Sequence, residues 1–165
     1  MNAELAHRLD NIIRKNLRVL IGDANGFDRA VQAYLAEHQY TGVLVYCTLG
    51  ICRNNVGRWP LNPVDYSGRD RGLEFYTAKD DAMLRDADFG LFGWDGKSRG
   101  TLRNARLMAE QGKPAAVYFS PLKKFVTVRT AEDVASLSPE PGAIAQPSED
   151  LFSDAWQQTA AADAM

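Results

Sequence analysis

Two short stretches hold the residues best suited to chemistry. GDANGFD, residues 22–28, and DGKSRGT, residues 95–101, each follow an apolar run and lead into a helical pattern. In the second, Gly96 and Gly100 let the backbone approach a ligand closely, Lys97 and Arg99 bring positive charge, and Ser98 and Thr101 bring hydroxyl donors. A helix starting there offers N–H groups and the positive end of its dipole, which favour a phosphate or carboxylate. The same residues also suit a tight turn in which Ser98 or Thr101 caps the helix. In the first stretch, Gly22 and Gly26 make the turn, and Asp23 or Asn25 can accept hydrogen bonds from a ribose or base. Asp28 reads as a helix cap. Neither stretch is a GxGxxG fingerprint or a Walker motif, which disfavours a dinucleotide dehydrogenase or a P-loop NTPase.

Residues 48–72 interrupt the pattern with Gly50, Gly57, Pro60, Pro63, Gly68 and Gly72 among Arg53, Arg58, Arg69 and Arg71. The composition predicts an ordered loop without a regular element. It suits a solvated basic loop, and equally a lid that closes its arginines on phosphates with Trp59 or Tyr66 against a base. The only cysteines, Cys47 and Cys52, are expected as reduced thiols near a strand end. The histidines, His7 and His38, lie too far from them in sequence for ligand spacing, so neither a metal nor a resident cofactor is expected.

These stretches need a frame. Leu5, Leu9, Ile12 and Ile13 recur at helical spacing, so residues 2–15 should form an amphipathic helix. Compact apolar runs at 17–21, 43–47, 89–94 and 115–119 predict buried strands, and 125–128 a short further one. Helices are expected at 27–38, 73–85, 101–111 and 131–137. This alternation predicts an α/β fold, Rossmann-like, with a largely parallel sheet and helices on both faces. In such sheets ligands lie beyond the carboxyl ends of the strands, at the reversal of strand order. If the first and third strands are neighbours, both glycine turns border one crevice. The predicted organisation is a single domain over 1–137 with a lid-like insert at 48–72. A Pro/Ala-rich tail at 138–165 follows, whose Leu151, Phe152 and Trp156 could dock on the domain or a partner.

Composition narrows the partners. The chain has 165 residues and a net charge of −2, which gives no general field for gripping a long nucleic acid. No signal-peptide layout or membrane-spanning apolar run is visible, so a cytoplasmic protein without membrane partners is expected. Rossmann-like domains often pair through helix faces, which leaves a homodimer open.

The segment GFDRA, residues 26–30, resembles the G-A-D-R-x-A segment after the first strand of SLOG-superfamily proteins. DADFGLFGWDGKSRGT, residues 86–101, is similar to their segment of A-D, apolar strand and G-T at a helix start, and GKPAAVYF follows it. The resemblance spans roughly residues 17–120. It implies a Rossmann-like fold and a nucleotide or nucleotide-derived ligand. The superfamily includes phosphoribohydrolases of the lysine decarboxylase-like group, DNA-processing proteins and sensor domains of nucleotide-signalling defence systems.

One departure bears on activity. In the phosphoribohydrolases a catalytic glutamate follows the threonine of the G-T pair by three residues, where this chain has Asn104. An amide cannot act as a carboxylate nucleophile or base, although Asn104 can still bond a ribose or phosphate. The expectation is therefore a nucleotide-binding module, such as a sensor. The alternative is an N-glycoside hydrolase or transferase acting on nucleoside monophosphates with a relocated carboxylate, for which Asp23, Asp95 and Glu74 are the candidates. A third possibility is a non-catalytic interaction protein whose turns are only turns.

Overall fold

The computed structural model describes residues 2–69 and 72–137. The tail at 138–165, with Leu151, Phe152 and Trp156, and Arg71 of the insert lie outside the described residues. The fold is mixed α/β and divides into two compact units, one ending at Arg85 and the other beginning at Asp86.

In the first unit, α1 (Ala3–Arg14) starts at Asn2, whose side chain accepts the Glu4 N–H at 2.9 Å. It buries Leu5 and Leu9, one turn apart, and ends where Asn16 turns left-handed at φ 51°. β1 (Val19–Ile21) is shorter than the apolar run, because Leu17 is 48% exposed and stays outside the ladder. β1 pairs in parallel with β2 (Val43–Thr48), Val19 opposite Val43 and Ile21 opposite Val45. Every residue of β2 except Leu44 is buried, as befits a strand covered on both faces. α2 (Phe27–Glu37) joins β1 to β2.

The insert does contain a regular element. β3 (Leu61–Val64) pairs in parallel with β2, setting Pro63 opposite Cys47. As a sheet edge it tolerates a proline, which cannot donate to a further ladder. The cysteines depart from expectation too: Cys47 and Cys52 form a disulfide rather than two reduced thiols. Their Cα atoms stand 5.2 Å apart across a short turn, within the span that a disulfide bridges. α3 (Leu73–Asp86) buries Phe75, Lys79, Ala82 and Leu84.

In the second unit, β4 (Gly90–Trp94) pairs in parallel with β5 (Ala115–Phe119). β6 (Lys124–Val128) returns antiparallel to β5 through a single 3₁₀ turn at Ser120–Leu122. α4 (Arg99–Glu110) packs on this sheet and buries Ala105 and Met108. α5 (Ala131–Leu137) is capped reciprocally: Asp133 accepts the Thr130 N–H, and Thr130 Oγ1 accepts that of Asp133. Three of the four strand pairings are therefore parallel, but the strands form two three-stranded sheets in place of the single sheet expected. Within its own unit, β1 is hydrogen-bonded to β2, and β4 to β5. No described helix is long and apolar enough to cross a membrane.

Candidate functional site

β1 delivers Gly22 and Asp23 into a buried polar cluster. Asp23 is 3% exposed, and its carboxylate accepts the Arg53 N–H at 2.9 Å and the Arg53 guanidinium at 3.2 Å. Lys79 Nζ stands 3.6 Å from the same carboxylate and donates to Asp80 at 2.7 Å. Asp28 reaches back from α2, where its Oδ2 accepts the Ala24 N–H at 3.0 Å and closes the turn. A Cβ at Gly22 would stand 2.5 Å from that oxygen and 3.3 Å from Lys79 Nζ, so a larger residue would displace the Asp28 carboxylate.

The electrostatics follow from this crowding. Burial, opposed by Lys79 and reinforced by Asp80 and Asp23, lifts the Asp28 carboxyl from 3.8 to about 6. Burial pushes the Lys79 ammonium down, but Asp80, Asp28 and Asp23 together outweigh it and leave Lys79 above its ordinary value. Lys79 is therefore a structural cation held charged by three carboxylates. Arg53 differs, because its side chain stays 37% exposed and its guanidinium lies 4.9 Å from the centre of the Tyr76 ring.

The strap after Cys52 is anchored on the same turn. Asn54 Nδ2 donates to the Asp23 carbonyl at 2.8 Å and to Asn25 Oδ1 at 2.9 Å. Gln32, fully buried on α2, donates to the Gly22 carbonyl at 2.8 Å and accepts the Val56 N–H at 2.9 Å. Trp59 is a core residue of the first unit. It is buried, its indole N–H donates to the Tyr40 carbonyl at 2.8 Å, and Asn55 clasps its backbone from both sides. Arg58 and Arg69 are exposed, and Tyr66 packs edge-on against Phe75. Among the described residues of the insert, Arg53 and Asn54 bond to the β1 turn. Gly26 begins α2 at φ 85°, which suits glycine alone.

The β4 turn is built separately. Asp95 Oδ1 accepts the N–H groups of Lys97 at 2.8 Å and Ser98 at 2.7 Å. Ser98 caps α4 by accepting the Thr101 N–H at 3.4 Å, and the Thr101 hydroxyl bonds Ser98 Oγ at 3.1 Å and the Gly93 carbonyl at 3.3 Å. Trp94 stacks on Phe119 and donates its indole N–H to the Ser98 carbonyl. Gly96 takes φ 84° against Phe119. Gly100 faces open space, since a Cβ there would meet nothing within 4 Å, while Lys97 and Arg99 are exposed or nearly so. Asn104 sits one turn further along α4 beside Arg103. The N–H groups of Ser98 and Thr101 are thus already bonded within the turn.

Sequence reasoning assigns no role to Gln32, Lys79 or Asp80. The available signal is phase: Phe75, Lys79 and Ala82 share one helix face, so a lysine stands in an apolar stripe. Among the described residues no group of His, Cys, Asp and Glu could hold a metal ion. No protein-family model, curated protein or solved structure matches this chain.

Proposed function

We propose that the chain binds a nucleotide or nucleotide-derived ligand at the carboxyl ends of its strands, as a non-catalytic module of the SLOG type. The observation that carries the reading is the start of α4. There α4 begins at Arg99, Lys97 and Arg99 are exposed, and the open Cα face of Gly100 leaves room for a phosphate at the helix start. The β1 cluster has a different chemistry. Its carboxylates, Asp23 against Arg53 and Lys79 with Asp28 beside them, offer acceptors that favour hydroxyl or amide donors of a sugar or base.

The roles of the acids support binding over catalysis. Asp95 is engaged by two N–H groups of its own turn, and Asp23 by Arg53 and Lys79. Neither is presented as a free nucleophile. One observation favours the hydrolytic alternative, namely the Asp28 carboxyl near 6, a value suited to general acid–base work.

Calorimetric titration with nucleosides, nucleoside mono-, di- and triphosphates, and inorganic phosphate tests the reading. Phosphorylated ligands should bind, and Gly100→Val should weaken them about 10- to 100-fold, the equivalent of a lost charge-assisted contact. Unchanged affinity in Gly100→Val would remove α4 from the site. Release of free base that disappears in Asp28→Asn would favour the glycosidase.

A further inference from the structure

The segment that carries Arg53 is tied down at both ends of a short turn. Cys52 is bonded to Cys47, a fully buried residue of β2. Arg53, the next residue, gives its N–H and guanidinium to Asp23, while Asn54 and Val56 are held by Asp23, Asn25 and Gln32. Between the cysteines the chain passes through Leu49 at φ 53° and Gly50 at φ 70°. A left-handed leucine is an unfavourable backbone state that surrounding constraints must hold. Little burial supplies that constraint, because Leu49 and Ile51 are 50% and 46% exposed. Leu49 gives its N–H to the Val64 carbonyl of β3, Gly50 and Ile51 bond back to Cys47 and Thr48, and the disulfide is the covalent anchor of the turn.

We infer that the Cys47–Cys52 disulfide is a redox-operated latch that sets whether Arg53 is held on Asp23. The reductant is a dithiol, small or protein-borne. Its thiolate attacks Cys52 Sγ, which belongs to the more exposed of the two cysteines. The S–S bond breaks, and Cys47 leaves as a thiolate that takes up a proton. The second thiol of the reductant then resolves the mixed disulfide, releasing Cys52 as a thiol and the reductant as its own disulfide. Two electrons and two protons pass to the protein. Arg53 can leave without stranding a buried charge, because Lys79 remains 3.6 Å from Asp23. Opening the latch therefore frees the exposed cation and keeps the sealed one.

The consequence for a ligand rests on the function proposed above; the latch itself does not. Hydrogen exchange of the full chain, oxidised with glutathione disulfide and then reduced with a phosphine, provides the test. Intact mass should show the two-hydrogen gain on reduction. The Arg53 and Val56 amides should then exchange at least about ten-fold faster, while those of β1 stay unchanged. Cys52→Ser should behave as the reduced chain under both conditions; if it does not fold, reduction of the unaltered chain gives the answer alone. The inference is overturned if the mass does not change, if Arg53 and Val56 exchange at the same rate in both states, or if the whole first unit loosens equally. A latch that opens in a chain binding no nucleoside or nucleotide in either state would support this inference and overturn the proposed function.

Discussion

Replacing Asp28 with asparagine should stabilise the protein, and only where the aspartate would be charged. Burial holds this carboxyl near 6, against an ordinary 3.8, even with Lys79 opposing the shift. A raised folded-state value means that the folded chain binds the proton more tightly than the unfolded one. Stability therefore falls as pH rises from about 3.8 through about 6, then levels off. At 1.36 kcal/mol per unit the full loss approaches about 3 kcal/mol, and the partial exposure of Asp28 lowers the expectation to about 1–3 kcal/mol. Asparagine retains an oxygen to accept the Ala24 N–H that closes the turn. Urea unfolding followed by circular dichroism at about pH 4, 6 and 7.5 measures the difference. Asp28→Asn should exceed the parent by about 1–3 kcal/mol at about pH 7.5 and match it near pH 4. A difference that does not vary with pH would refute the reasoning. So would a variant less stable at the highest pH, since Lys79 would then depend on the Asp28 charge.

Lys79→Met should cost about 3–5 kcal/mol at about pH 7.5, because it leaves buried carboxylate uncompensated, and the deficit should shrink in acid as the carboxyls take up protons. Equilibrium unfolding across the same pH series checks it. Gln32→Leu strands the Gly22 carbonyl and the Val56 N–H, so a loss of about 1–3 kcal/mol is expected, with faster exchange at Val56. Thr101→Ala removes a hydroxyl that bonds Gly93 and Ser98, and should cost about 1 kcal/mol of thermal stability. If that variant also lowers nucleotide affinity by titration, the hydroxyl acts on the ligand as well as on the turn.

The alternation of apolar runs and helical patterns is sufficient to place every described strand except β3. Buried parallel strands such as β2 need continuous apolar sequence, and that signal is visible residue by residue. LNPV in β3 has no such signature: its inner neighbour is β2, its other side is an edge, and Leu61 is 44% exposed. Sheet membership is the part that sequence periodicity does not encode. The five-residue apolar run at 90–94 reads as a buried strand, but its local pattern does not name β5 as the strand it pairs with. The expectation of a cytoplasmic protein argues for free thiols at Cys47 and Cys52, but the deciding factor is a turn that brings two Cα atoms within bridging distance.

The candidate site is legible where backbone chemistry leaves a mark and illegible where charges compensate one another. Gly22, Gly26, Gly96 and Gly100 punctuate the sequence, and they do lie just beyond strand ends. Asp23 and Asp95, by contrast, look alike as acids after a strand, yet one is sealed against two cations and the other clasps its own turn. That distinction depends on Lys79, which arrives from a helix 56 positions away in sequence. It also decides what the cluster can recognise. A lone Asp23 beside Arg53 would be a neutral pair whose guanidinium could turn to a phosphate. The Asp28 carboxyl beside that pair adds a second acid at the turn, which repels an incoming phosphate and offers a sugar hydroxyl an acceptor. Neutralising it through Asp28→Asn should therefore improve binding of phosphorylated ligands at the β1 turn more than binding of the corresponding nucleosides. Equal effects on both would mean that the cluster contributes shape and rigidity rather than charge.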